Sequence, residues 1–303
     1  MTLHTETPLI ESAAMAATEG QKVWLKMEAL QPPGSFKIRG IGHACEQYKL
    51  RGARRFISSS GGNAGIAAAY AGRHLGLPVT VVVPETTTER ARELIRREGA
   101  DIIVHGASFQ EANALAQSMV GPHDAFIHPF DDPLLWQGHA SMIDEVAAAG
   151  LAPDVVVLSV GGGGLLCGVV EGLHRQGWGH VPVIAVETAG ADSLAQAMSA
   201  NRRVELPGIS SIATSLGARQ VSEQAFACSS AHPVVSVVVS DRDAVGACLR
   251  FMDDHRVVVE PACGAALAVV YGGAHELVGY KNVLVIVCGG VTATVGQLEK
   301  WAR

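Results

Sequence analysis

Lys37 closes the run Pro33-Gly34-Ser35-Phe36-Lys37 and is one of only six lysines, against seventeen arginines. It follows a Pro-Gly turn and a serine of the kind that caps helices. The spacing therefore places Lys37 in the first turn of a helix, with Ser35 as N-cap. An ammonium near a helix N-terminus is disfavoured by the positive end of the dipole, which lowers its pKa and frees the amine as a nucleophile. The other five lysines, at 22, 26, 49, 281 and 300, lie in polar or terminal stretches. Lys37 is the candidate nucleophile, with a plain first-turn surface lysine as the competing reading.

Four consecutive glycines, Gly161, Gly162, Gly163 and Gly164, end the apolar run 155–160, and a helical pattern starts at Leu165. A buried strand that breaks into bare backbone and opens a helix presents several free N–H groups together, which is what a phosphate needs. A tight turn alone needs fewer glycines. A dinucleotide fingerprint is not met, because Leu166 and Cys167 stand three residues after Gly163 and Gly164. Glu187 does end the next strand, where a ribose-binding acid would sit. The chain reads as a binder of a phosphorylated small molecule.

Two further strand ends carry polar groups. Ser58-Ser59-Ser60-Gly61-Gly62-Asn63-Ala64-Gly65 combines free amides, hydroxyls and one carboxamide, which suits a carboxylate or a ring hydroxyl beside it. A simple capping role for Asn63 competes with that reading. Val287-Cys288-Gly289-Gly290 puts a thiol at the end of the last strand, where open α/β sheets make ligand contacts. A buried cysteine acting as a small hydrophobe competes there. The twelve histidines are scattered, with no H-E-x-x-H and no G-x-S-x-G elbow, so zinc-peptidase and serine-hydrolase chemistry have no footing. Asp131 and Asp132 precede Pro133 and read as helix caps.

These groups need a framework, and the chain supplies one. Strand-like runs at 23–27, 55–58, 79–83, 101–104, 126–128, 155–160, 181–187, 234–239 and 283–288 alternate with amphipathic stretches at 62–75, 88–98, 109–120, 132–149, 164–176, 243–253 and 263–271. The continuous Val/Ile runs suit parallel strands buried on both faces, so the fold class is α/β with crossover helices. Composition breaks near Pro32-Pro33-Gly34 and near 128–133 divide the chain into two lobes. A large cofactor-binding lobe takes residues 1–36 and 136–303, and a small one takes 37–135.

Composition narrows the partners. Net charge is −6, and the densest basic stretch, 90–97, is interleaved with Glu89, Glu93 and Glu98, so nucleic acid is not expected. No apolar run approaches the roughly 20 residues that cross a bilayer, and residues 1–11 do not read as a signal peptide. The six cysteines have no regular spacing, which fits free thiols in a reducing cytoplasm.

In order along the chain, several of these segments resemble the pyridoxal-phosphate enzymes of the tryptophan-synthase-β type, fold type II, and among them the L-serine/L-threonine dehydratases. The carrying segments are Gly34-Ser35-Phe36-Lys37-Ile38-Arg39-Gly40, Ser59-Ser60-Gly61-Gly62-Asn63-Ala64-Gly65, and Phe130-Asp131-Asp132-Pro133 with Gly138-His139-Ala140-Ser141. They continue with Ser159-Val160-Gly161-Gly162-Gly163-Gly164-Leu165, Glu260-Pro261-Ala262-Cys263-Gly264 and Val287-Cys288-Gly289-Gly290, so the likeness runs from about residue 5 to the C-terminus.

The resemblance implies two lobes with mostly parallel open sheets. Lys37 would hold pyridoxal 5'-phosphate covalently and then act as general base at the substrate Cα. Phe36 would pack on the cofactor ring, Asn63 would bond its hydroxyl and Cys288 would face its nitrogen. The amides of Gly161, Gly162, Gly163, Gly164 and Leu165 would hold the phosphate. Ser60, Gly61, Gly62 and Ala64 would bind the carboxylate of an amino-acid substrate. A monovalent cation such as K+ would sit among Glu187, Ser193 and the carbonyls of Gly161, Ala191, Leu216 and Ala218. The same resemblance implies a homodimer that converts L-serine to pyruvate and ammonia, with L-threonine as second substrate.

Alternatives are L-threonine, or a bulkier β-hydroxy amino acid, as main substrate. Racemases similar in fold carry a serine where this chain has Gly61, and cysteine synthases a Thr-Ser-Gly-Asn-Thr type loop, so both chemistries fit less well. A binding paralogue without the reaction is disfavoured by the intact Lys37, Asn63 and Cys288. Glycine at 61 is expected to loosen the loop and enlarge the site.

Overall fold

A computed structural model describes residues 2–15 and 20–303. The expected segment 1–36 is thus covered except for positions 1 and 16–19, which lie outside the described residues. The strands are β1 (Leu9–Glu11), β2 (Lys22–Lys26), β3 (Arg55–Ser58), β4 (Val79–Val83), β5 (Asp101–Val104), β6 (Asp124–Ile127), β7 (Val155–Ser159), β8 (Val183–Thr188), β9 (Val234–Val239) and β10 (Asn282–Ile286). Between and after them lie α1 (Lys37–Leu50), α2 (Asn63–Leu75), α3 (Glu89–Arg97), α4 (Phe109–Ser118), α5 (Pro133–Ala148), α6 (Gly164–Arg175), α7 (Ser193–Ala200), α8 (Glu223–Ala231), α9 (Asp241–His255), α10 (Pro261–Tyr271) and α11 (Val295–Trp301).

Among the described residues the strands form two sheets, of six strands in the order β1-β2-β10-β7-β8-β9 and of four in the order β5-β4-β3-β6. The α/β reading holds. Every pairing is parallel except β1 against β2. The periodicity of the sequence did not reveal β1, because three residues are too few to show alternation. It also passed over α7 and α8, whose small and polar residues give little apolar period.

The central strands β4, β7 and β8 are buried along their whole length, as continuous Val/Ile runs require when helices cover both sheet faces. Parallel pairing then brings the loops that follow the strands to one edge of each sheet. Each segment with chemical groups leaves the C-terminal end of a strand: residues 27–36 after β2, 59–62 after β3, 160–163 after β7 and 287–294 after β10. Open α/β sheets place their ligands at that edge.

Asp132 caps α5 as expected, with Leu134 N donating to its Oδ1 at 2.8 Å and Pro133 in the first turn. The six cysteines are all free and buried. No helix among the described residues is long and apolar enough to cross a membrane.

Candidate active site

Lys37 is the first residue of α1, in agreement with its sequence position, but Ser35 does not cap the helix. Phe36 occupies the N-cap without a side-chain bond, and the Ser35 hydroxyl is buried with no hydrogen-bond partner. The Lys37 amine donates to Pro129 O at 2.6 Å and lies 5.1 Å from the Phe36 ring centroid. Its pKa falls to about 8. Burial is the leading cause, opposed by the nearby Cys288 and Glu260, so desolvation adds to the helix start as a reason for a free amine. Lys26 corrects a second expectation. It is 1% exposed and ion-paired with Glu145, so it does not lie in polar surroundings.

The turn before Lys37 is held by the loop after β10. Phe36 N donates to Cys288 O at 3.1 Å, and Gly290 N to Gly34 O at 2.8 Å. Cys288 is 7% exposed, and its hydrogen bond with Cys263, followed by burial, pushes its thiol well above the ordinary value. It is a neutral thiol. Behind Phe36 stands His139, ring centroids 4.9 Å apart, fully buried with neither ring nitrogen bonded. Burial holds His139 well below its ordinary pKa, so a neutral ring backs Phe36.

Asn63 is not a cap. Gly62 takes the N-cap of α2, and the Asn63 side chain reaches across to the other sheet's loops. Its Nδ2 donates to Glu260 Oε1 at 2.7 Å, while its Oδ1 accepts from Val291 N at 3.2 Å. Glu260 also accepts from Thr292 Oγ1 at 2.6 Å. Glu260 is buried, and burial raises its pKa. Its segment belongs to the quoted likeness, but sequence reasoning assigned it no role. The signal available was an acid directly before Pro261, at the start of an all-apolar helix.

Gly163 adopts φ +96° as the N-cap of α6, a conformation that favours glycine. Among the described residues, the backbone amides of Gly161 to Leu165 donate to no protein group. Five free donors at the start of a buried helix are a cradle for an anion. Protein packing also needs these glycines: a Cβ on Gly162 would overlap the Phe130 ring. Phe130 follows Pro129, so one short segment joins the Lys37 amine to these free amides.

The loop after β3 carries Ser60, Gly61 and Gly62, and Ala64 is the second residue of α2. Gly62 N donates to Ser60 Oγ at 3.3 Å, and Ser59 Oγ donates to Asn113 Oδ1 at 2.7 Å, which pins the loop onto α4. Glu187, at the end of β8, accepts from Leu194 N at 2.8 Å and Ala195 N at 2.7 Å. Burial raises its pKa to about 7. The neighbouring Ser193 hydroxyl is buried and unbonded. Ala191 N donates to Thr188 O, Ala218 N to Leu216 O, and Gly161 packs on Leu216.

A reactive buried amine, an anion cradle and a neutral thiol at adjoining strand ends define an enzyme built around a phosphorylated carbonyl cofactor. Residues 1–289 match the family described as "Pyridoxal-phosphate dependent enzyme", and the chain belongs to that family; pyridoxal phosphate is its cofactor. The human "L-serine dehydratase/L-threonine deaminase" is 47% identical over 308 residues, covering 98% of this chain and 94% of that protein. The mouse "Serine dehydratase-like" protein is 48% identical over 308 residues, with 98% and 93% covered. The crystal structure of a fungal L-serine ammonia-lyase from Rhizomucor miehei superposes with TM-score 0.93 at 35% identity, covering 99% of this chain and 98% of that one.

Proposed function

We propose that the protein is an L-serine dehydratase that forms pyruvate and ammonia, with L-threonine giving 2-oxobutanoate as its second reaction. The observation that carries this reading is the Lys37 amine, lowered to about 8 and joined through Pro129 and Phe130 to the free amides of Gly161 to Leu165. The names of the relatives support the substrate.

Lys37 would anchor pyridoxal phosphate at Nζ, the five amides would hold its phosphate, and Phe36, backed by His139, would support its ring. When bound, the cofactor supplies a conjugated ring that accepts the electron pair left on the substrate Cα. Asn63 and Cys288 would face the ring's polar atoms. A neutral thiol does not enforce protonation of the ring nitrogen, which favours loss of the β-hydroxyl over transamination. Ser60, Gly61, Gly62 and Ala64 hold the substrate carboxylate on amides at the start of α2. The Lys37 amine would take the Cα proton, a task suited to an amine with a pKa near the working pH.

The buried, unbonded Ser193 hydroxyl beside Glu187 supports a K+ site with carbonyls of Gly161, Ala191, Leu216 and Ala218. The two sheets support a small lobe at 37–135 and a large one at 1–36 and 136–303. We assign a cytoplasmic homodimer, and the six free, buried thiols fit a reducing compartment.

The test is 2-oxo acid release from L-serine and L-threonine by purified holoenzyme, with borohydride used to trap the cofactor. The expected result is pyruvate and 2-oxobutanoate, and a reduced adduct mapped to Lys37. A colourless protein, or an unmodified Lys37 in cofactor-saturated material, overturns the proposal.

A further inference from the structure

β3 and β4 are neighbouring parallel strands with Ser58 beside Val81, so the loops leaving their C-terminal ends lie side by side. The absent side chain at Gly61 suggests, from sequence, an enlarged site. The second loop fills that space. A Cβ on Gly61 would lie 2.5 Å from Thr87 Oγ1, 2.7 Å from Thr87 Cγ2 and 3.2 Å from Thr87 Cβ. Favourable carbon contacts need about 3.5–4.0 Å.

Thr87 is held in place by its own turn. Its N–H donates to Pro84 O at 3.0 Å, and the next residue, Thr88, caps α3 by accepting from Ala91 N at 3.3 Å. The side chain is half-buried, and its hydroxyl has no protein partner among the described residues.

We infer that Thr87 is a specificity-determining residue: it occupies the volume of the missing side chain at 61 and sets the room beside the substrate loop. The inference rests on the reading of Ser60 to Ala64 as the carboxylate loop of an amino-acid lyase. Gly61 and Thr87 are then one steric unit. A methyl at 61 must displace Thr87 or the loop. Thr87→Ala removes the two closest atoms and leaves Cβ at 3.2 Å, a contact relieved by a shift of a few tenths of an ångström. Alone, Thr87→Ala opens the site toward amino acids with longer side chains.

The experiment is a double-mutant cycle on holoenzyme: wild type, Gly61→Ala, Thr87→Ala and the pair. kcat and KM are measured for L-serine, L-threonine and a longer β-hydroxy amino acid, and thermal midpoints are taken on the same samples. Gly61→Ala is expected to lower kcat/KM for L-serine about tenfold and to lower the midpoint, and the pair to recover most of both. Thr87→Ala is expected to raise the longer substrate's kcat/KM relative to L-serine about threefold or more. A pair no better than Gly61→Ala in either readout overturns the inference, as does an unchanged substrate ratio in Thr87→Ala. A wild type that releases no 2-oxo acid sinks the assigned reaction instead, and the melting cycle still decides whether the two residues form a unit.

Discussion

Arg39 grips Glu28 with two prongs inside the protein: Nε donates to Oε2 at 2.7 Å and Nη2 to Oε1 at 2.8 Å, both side chains at 0% exposure. Glu145 of α5 takes two further bonds from the same guanidinium, at 2.6 and 2.7 Å, and also pairs with Lys26. Two cations thus balance two carboxylates. Arg39 lies two residues beyond Lys37, so the network ties the first turn of α1 to the segment after β2 and to α5. Arg39→Met leaves buried carboxylates short of a partner and is expected to cost about 3–5 kcal/mol. Arg39→Lys keeps the charge but loses the fork and falls between. Urea unfolding of the three proteins checks the order.

Lys37 gives a pH signature in cofactor-free protein. An amine lowered to about 8 reacts over a range where an ordinary lysine, at 10.5, is still protonated. Borohydride-trappable attachment of added pyridoxal phosphate should rise with pH through a midpoint near 8. A midpoint near the ordinary value contradicts the burial argument. Between the two values the unfolded chain holds the extra proton, so stability rises with pH there, and Lys37→Met removes that rise. Lys37→Arg is expected to lower 2-oxo acid release at least about 10³-fold.

Cys288→Asp replaces a neutral thiol by a carboxylate facing the same position. A charged partner favours a protonated ring nitrogen, so the variant should show altered visible absorption and about tenfold slower elimination, with more transamination per turnover. Identical spectra and product ratio would remove the proposed role of the thiol.

Glu187 makes a prediction of opposite sign to Lys37. Burial raises its carboxyl to about 7, so the folded protein holds a proton that the unfolded chain releases near 4.5. That contribution is present below 4.5 and is lost as pH rises to about 7. A bound cation would restore it at higher pH. K+ in place of a bulky organic cation should raise the thermal midpoint by about 2 °C at pH 8, and less at pH 6. Glu187→Gln should abolish both the slope and the K+ effect, as melting curves in the two salts would reveal.

Much of this protein is local in origin. The alternation of Val/Ile runs with Ala-rich stretches dictates α/β layers, and the glycine clusters mark strand ends that open into helices. Pro-Gly before Lys37 places the lysine at a helix start, because turn chemistry acts over a few residues, although Ser35 does not supply the cap. What those groups do to one another is decided only by the fold. The Asn63–Glu260 bond joins residues 197 apart, and the Lys37–Pro129 bond residues 92 apart. Burial of Lys26, the neutral His139 behind Phe36 and the Thr87 side chain over Gly61 belong to the same kind. Desolvation and steric overlap depend on what packs from distant segments, and no spacing along the chain encodes that. The lowered pKa of Lys37 shows this: the sequence pointed to the helix start, and only the fold reveals how far the surrounding protein excludes water from the amine.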